Sequence, residues 1–381
     1  MKKEIGLYVH IPFCARKCAY CDFFSGAFSD AQIEKYFSDL RSEIAGHAED
    51  LTQTRLTGVR VRSIFIGGGT PSIVPVKELE KTVRLLYDCF DVADDAEFTM
   101  EANPGTLDRE KLAFYRAFGA NRLSLGLQSA DDAMLRKLGR IHTYADFLES
   151  YHAAREAGFT NISVDLMSGL PGETPAQFEK SLKTVLALRP EHLSVYSLII
   201  EENTPFYALY GENGSRKDEL PPEETDRLIY RRTNEIMEEA GLYRYEISNY
   251  ARPGYECVHN LGYWTGVPYL GFGAAAAGFD GKRRRKNASS LDYRKLPPEE
   301  EEMLDENDLM SEFMILGLRL TKGVSEAEFH TRFGKKVEEV FVEPLKKHCT
   351  LGTIIREEGR IRLSAYGLDV ANAVMADFLL T

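Results

Sequence analysis

Apolar and polar positions alternate in short runs through the first two hundred residues. Ile5-Gly-Leu-Tyr-Val-His-Ile-Pro12 reads as a strand that Pro12 closes. The same pattern predicts strands at about 6–12, 61–68, 97–103, 122–128, 161–167 and 192–199. Helical periodicity between them predicts helices at about 29–49, 76–90, 107–119, 131–157 and 174–188. Six strand–helix units with short turns predict a parallel α/β sheet with its helices outside. The faces of the strands narrow the choice. Phe98, Met100 and Ala102 share one face, and Thr99, Glu101 and Asn103 the other. Leu123, Leu125 and Leu127 oppose Ser124 and Gln128, and Ile162 and Val164 oppose Ser163 and Asp165. Parallel strands covered on both sides read as continuous apolar runs. The alternation therefore predicts a curved, partly open barrel with a polar, ligand-holding interior.

Beyond residue 200 the pattern changes. Residues 201–222 are polar and read as a long surface loop or lid, followed by a helix at about 222–240. Tyr243–Tyr250 alternates as a strand. The acidic stretch 295–306 reads as a linker or an exposed helix start. Helices are predicted at 308–318, 325–332 and 335–348, then a hairpin over 352–364 and a last helix over 365–379. The expected division is a barrel core over 1–200, a barrel-extending segment over 201–294 and a small C-terminal domain over 295–381.

A chain of 381 residues is long enough for one large domain and a smaller one. Its 47 basic and 59 acidic residues leave a net charge of −12, which argues against nucleic-acid binding and against a DNA-binding regulator. The N-terminus lacks a signal peptide's apolar core, and no run of about 18 apolar residues marks an integral membrane segment. Cys14, Cys18 and Cys21 cluster, while Cys89, Cys257 and Cys349 are scattered. That usage suits a reducing compartment and predicts a cytoplasmic protein.

The chemistry gathers at predicted strand ends, where barrels of this kind carry their sites. Cys14-Ala-Arg-Lys-Cys18-Ala-Tyr-Cys21 follows the first strand. Three thiolates on a [4Fe–4S] cube leave one iron open to a cofactor or substrate. On spacing alone, zinc with His10 as fourth ligand and a disulfide are the alternatives. Strand two ends in Ile66-Gly-Gly-Gly69-Thr70-Pro71, which allows close backbone approach and offers amides to an anion. Glu101, Gln128 and Asp165 lie on the polar strand faces, and Arg140 is a candidate for bidentate carboxylate binding.

Tyr8-Val-His-Ile-Pro-Phe-Cys14-x3-Cys18-x-Tyr20-Cys21 resembles the radical S-adenosylmethionine (SAM) superfamily. More narrowly it is similar to the oxygen-independent coproporphyrinogen III oxidase family and its heme-chaperone branch. The resemblance implies an α/β fold, a partial (β/α)6 barrel with a small C-terminal helical, winged-helix-like domain acting as a lid or docking module. It implies a [4Fe–4S] cluster on Cys14, Cys18 and Cys21, with SAM on the open iron and an electron donor to the cluster. Gly68, Gly69 and Thr70 match the segment at the SAM amino group. Glu101, Gln128, Arg140 and Asp165 match SAM contacts, and Tyr8 and Tyr20 match positions near the cofactor.

Cys257-Val-His259-Asn260-Leu-Gly-Tyr263-Trp264 resembles the motif of the heme-chaperone branch, in which the histidine is linked with heme binding. It implies heme on His259, with Asn260, Tyr263 and Trp264 alongside. The basic run Lys282–Lys286 reads as a solvated turn or as a contact for propionates or an acidic partner. Two functions compete: a heme chaperone serving an acceptor protein of unknown identity, and an oxidase that decarboxylates coproporphyrinogen III in porphyrin biosynthesis. Phe23 stands where the oxidase carries a further cysteine, and the oxidase's extension before the first strand is nearly lacking here. Both features, with the His-Asn-x-x-Tyr-Trp motif, favour the chaperone.

Overall fold

The computed structural model describes residues 3–51 and 58–380. Six parallel strands lie side by side in chain order: β1 (Glu4–Ile11), β2 (Arg60–Gly68), β3 (Val92–Ala102), β4 (Arg122–Gln128), β5 (Ile162–Ser168) and β6 (His192–Ser197). Their connecting helices are α1 (Asp30–Leu51), α2 (Val76–Cys89), α3 (Arg109–Ala117), α4 (Asp132–Leu138), α5 (Tyr144–Glu156) and α6 (Pro175–Leu186). This is the expected partial barrel. The apolar strand faces, including Ile64, Ile66, Phe98, Met100, Leu123, Leu125, Ile162 and Val164, form one buried core with the helices. Full burial of each such side chain contributes about 1.5–3 kcal/mol.

One predicted helix, 131–157, is two. Gly139 ends α4 in a left-handed conformation at φ 77°, and Thr143 starts α5 with a reciprocal cap to Asp146. The stretch 201–222 is folded rather than a free loop. It carries α7 (Pro205–Tyr210), whose Phe206 and Tyr210 are buried. Then follow α8 (Glu223–Glu239), the short strands β7 (Tyr243–Arg244) and β8 (Asn249–Ala251), and α9 (Val258–Trp264).

The sheet continues past both barrel edges. β8 pairs with β6, and β7 with β8, both antiparallel. On the other side β9 (Tyr269–Phe272) runs parallel to β1, and β10 (Ala277–Phe279), β11 (Arg283–Lys286) and β12 (Glu300–Met303) follow antiparallel. The basic run and the acidic stretch are thus neither a solvated turn nor a linker. Arg284 faces Glu302, Arg285 faces Glu301 and Lys286 faces Glu300. Each run repels itself as an isolated strand, and their pairing cancels the charge.

The C-terminal part comprises α10 (Glu306–Gly317), β13 (Val324–Ser325), α11 (Glu326–Phe333), α12 (Val337–Val340), α13 (Val342–Leu351), β14 (Ile354–Glu357), β15 (Arg360–Leu363), α14 (Ala365–Asp369) and α15 (Ala371–Ala376). It has its own core around Met314, Leu318, Phe329, Phe341, Ile361 and Phe378. Among the described residues no helix is long and apolar enough to cross a membrane.

Candidate functional site

The cysteine loop leaves the C-terminal end of β1 and is fastened on several sides. Cys14 N donates to Gly26 O at 2.8 Å, and Gly26 N to Pro12 O at 3.0 Å. Gly69 N and Thr70 N donate to Ile11 O and Phe13 O at 2.8 and 2.7 Å. Ala19 N donates to Leu138 O at 3.1 Å, and Phe206 N to Ala19 O at 2.9 Å. The residues expected to form a lid therefore brace the loop. Tyr20 packs against Phe206, ring centres 6.3 Å apart.

The glycine run serves close approach. A Cβ on Gly68, whose φ is +110°, would lie 2.5 Å from the His10 ring, and one on Gly69 2.8 Å from Ile11 O. The amides of the run bond groups of the protein itself. Gly68 N donates to Glu101 Oε2 at 3.0 Å, and the next two amides bond the loop carbonyls.

Sequence reading placed Asn103 on the polar face but missed it as a hub. Its Nδ2 donates to Thr70 Oγ1 at 2.7 Å, and its Oδ1 accepts from Arg140 Nη2 at 2.5 Å. Thr70 Oγ1 lies 3.4 Å from Cys14 Sγ, and Arg140 Nη1 lies 3.5 Å from Cys18 Sγ. Arg140 Nη2 also donates to Gly126 O at 2.5 Å. That guanidinium nitrogen is thus engaged by the protein, whereas Arg140 Nε is buried without a partner among the described residues.

The interior face is polar, as its alternation predicts. Burial, reinforced by the charge of Asp165, pushes the Glu101 carboxyl up to about 7, and burial likewise raises Asp165. Arg122 is fully buried beside them, with Nη1 3.5 Å from Thr99 Oγ1. Gln128 sits at φ 74°, a costly conformation for a residue other than glycine, and its buried Oε1 has no partner among the described residues.

His10 is not an available zinc ligand. Its Nδ1 bonds Tyr8 OH at 2.9 Å and its Nε2 bonds Phe24 O at 3.0 Å. Cys14, Cys18 and Cys21 are free thiols, so the disulfide reading falls as well.

The histidine motif forms α9, which packs on the interior side of β1 and β2. Glu97 holds its start, accepting from Val258 N at 2.9 Å, His259 N at 3.0 Å and Cys257 Sγ at 3.3 Å. His259 is 2% exposed. Its Nδ1 bonds Ser63 Oγ and its Nε2 bonds Tyr263 OH, both at 2.8 Å. It stacks on Phe65 at 5.2 Å. Burial, with the charge of Arg122, pushes its pKa down to about 3. Both ring nitrogens are thus bonded within the fold. Asn260 is half-buried on the same turn. The Arg319 guanidinium lies 4.3 Å from the Trp264 ring centre, a link to the C-terminal part.

A cavity of about 580 Å³ opens between the cysteine loop, α9 and β9–β11. Its walls include Tyr8, Phe24, Tyr263, Trp264 and Tyr269, and its cations are Arg284 and Lys286. Arg284 pairs with Glu312 at 2.6 Å, and Lys286 with Glu299 at 2.8 Å. His259 does not line it. The sequence signal for Arg284 and Lys286 was the basic run, whose partner strand lies well downstream.

A family model described as the radical SAM superfamily matches residues 8–185, and one described as the HemN C-terminal domain matches residues 304–370. The heme chaperone HemW of Bacillus subtilis (strain 168) is 37% identical over 380 residues, covering 98% of each chain. The chain belongs to the HemW family. HemW of Escherichia coli (strain K12) is 32% identical over 95% of this chain and 96% of its own. Among solved structures, coproporphyrinogen III oxidase (HemN) from Escherichia coli, a radical SAM enzyme, matches with a TM-score of 0.85 at 25% identity, over 99% of this chain and 90% of that one. Radical SAM proteins use a [4Fe–4S] cluster and SAM, the cofactor pair expected for this HemW-family chain.

Proposed function

We propose that this chain seats heme in the cavity between the cysteine loop and β9–β11 and hands it to an acceptor protein. In this reading it also carries a [4Fe–4S] cluster on Cys14, Cys18 and Cys21, with SAM in the barrel interior. The cavity carries the proposal. Its volume of about 580 Å³ lies in the range of pockets that enclose whole small molecules. Tyr8, Tyr263, Trp264 and Tyr269 present rings to a flat apolar macrocycle. Arg284 and Lys286, each paired with a glutamate of the same wall, are the cations that would turn to its carboxylate arms. The HemW relatives, named heme chaperones, support the identity of the cargo.

The interior groups fit SAM. Two buried carboxyls with raised proton affinity suit an ammonium and ribose hydroxyls, and the unpartnered Gln128 Oε1 and Arg140 Nε are buried polar atoms that a ligand would satisfy. Glu101 and Asp165 would accept from the nucleoside and amino groups, and Gln128 and Arg140 would hold the remaining polar edge. Gly68, Gly69 and Thr70 bring the backbone to the cysteine loop, and Tyr8 and Tyr20 wall the site. Cluster and SAM, when bound, supply one-electron radical chemistry. The chain's own residues orient the pair and shield it from water, and an external one-electron donor serves the cluster. The six free cysteines support a reducing, cytoplasmic setting. The working parts are the core over 1–200, the extension over 201–294 and the C-terminal unit over 295–381, with β12 binding the last to the sheet.

The match to the oxidase favours a second reading, decarboxylation of coproporphyrinogen III. Against it stands Phe23, 62% exposed at the cavity rim where the oxidase family carries a cysteine. The deciding experiment incubates the reconstituted chain with coproporphyrinogen III, SAM and a reductant, and in parallel with hemin and a heme-free acceptor. The expected result is no protoporphyrinogen IX, together with one heme bound per chain and passed on. Robust turnover would overturn the carrier reading.

A further inference from the structure

A second cavity, of about 280 Å³, lies in the seam between α9, β10 and the C-terminal part. Trp264, Phe279, Phe313, Leu316 and Leu320 give it an apolar wall. Folded interiors leave few voids larger than a water molecule, so a space of this size is room for a ligand rather than loose packing. Its charged groups are not all committed to the protein. Glu312 pairs with Arg284 at 2.6 Å, and Arg360 donates to Lys322 O and Gly323 O, both at 2.7 Å. Arg332 is different. Its guanidinium stands over Gly266, where a Cβ would lie 2.9 Å from Nη1, and 5.5 Å from the Phe333 ring centre. Among the described residues it has no hydrogen bond and no ion pair, and the Lys322 ammonium has none either. Against these two free cations the cavity sets one free carboxylate, Glu328. The Trp264 indole nitrogen is buried and has no partner among the described residues, a donor that an oxygen of a bound molecule would satisfy.

We propose that the seam cavity is a second ligand site, separate from the large cavity, and that it takes an apolar monocarboxylate. The carboxylate goes to Arg332, whose planar fork suits two oxygens, with Lys322 alongside. The hydrocarbon goes against Phe279, Phe313 and Leu316. At about 30 Å³ for each water-sized group, the volume admits about nine or ten non-hydrogen atoms, the size of an eight-carbon acid. A neutral molecule would leave both cations unpaired, and an ammonium would be repelled by them. Two sources supply such a carboxylate, a free acid and an arm of a molecule seated in the large cavity; the separate site takes the free acid. Glu312 and Leu316 line both cavities, so an occupant of the seam bears on the wall of the large one. The site does not depend on what the large cavity carries.

The test titrates the heme-free full chain with octanoate, octanol and octylammonium by calorimetry, with Trp264, the only tryptophan, as an optical reporter at the cavity wall. The expected result is one octanoate per chain with a shift in tryptophan emission, octanol at least about tenfold weaker and octylammonium weaker again. Arg332→Gln should weaken octanoate about tenfold and leave octanol unchanged. Chain preloaded with hemin should still take up one octanoate. Equal affinity for the three probes, several octanoates per chain, or no uptake at millimolar octanoate would overturn the proposal. So would displacement of octanoate by one equivalent of hemin, which would assign the carboxylate contact to the cargo of the large cavity. The wild-type order of the three probes decides even if Arg332→Gln fails to fold. Chain that takes up octanoate but no hemin keeps this site and loses the carrier reading instead.

Discussion

Glu101 offers a quantitative test of the barrel interior. Its carboxyl is buried among Asp165, Arg122 and the end of β2, and it is lifted from 4.5 to about 7. A carboxyl raised in the folded state leaves stability intact below its unfolded value and withdraws it as pH rises through the folded one. Integrating between pH 5 and 8.5 with those two values gives a loss of about 2.5 kcal/mol. Glu173, also lifted to about 7 by burial, adds its own loss in the same window. A difference experiment separates them. Glu101→Gln keeps an oxygen to accept from Gly68 N but cannot ionise. Urea unfolding of cluster-free wild type and variant at pH 5, 7 and 8.5 should give curves that diverge, the variant gaining about 2–3 kcal/mol on wild type across the range. Parallel curves would refute the claim that burial of this carboxyl is uncompensated. SAM, proposed above to seat its positive charge beside Glu101, should flatten the wild-type curve.

Three further outcomes follow from single contacts. Anaerobic reconstitution should load about four irons per chain, and a Cys14/Cys18/Cys21→Ala variant should load none by iron and sulfide analysis. Gly68→Ala places a methyl 2.5 Å from the His10 ring at a φ of +110°, so its thermal unfolding should reveal a loss of about 2–3 kcal/mol. Glu97→Ala leaves the buried amides of Val258 and His259 without their acceptor, an expected cost of about 2–5 kcal/mol, while Glu97→Gln should cost less. Emission from Trp264, the only tryptophan of the chain, should shift to the red in the alanine variant as α9 loosens.

Several features were readable before any coordinates. Period-two alternation separated Phe98, Met100 and Ala102 from Thr99 and Glu101 because a strand's faces are a local property. The three thiols were recognisable because one short loop supplies all of them. Other features eluded reading because their causes lie far apart in the chain. The run Lys282–Lys286 becomes a strand only because Glu300–Met303 lies beside it. Residues 201–222 look like solvent loop by composition, yet two aromatics tie them beneath the cysteine loop.

The sequence alone determined the parallel α/β order, the polar interior and the thiol loop at the end of the first strand, since each follows from neighbours within one turn or one strand. That His259 and Tyr263 share a helix face was not among its readings: only the structure shows the motif as α9, where residues four apart stand side by side. Which of the two turns inward was decided only by the fold. Gly6, Ser63, Phe65 and Glu97, all from the early strands, form the socket that takes the imidazole and leaves the phenol at the cavity wall. Spacing along one helix carries no record of that socket, because it is built from backbone and side chains that meet α9 only after β1, β2 and β3 have paired.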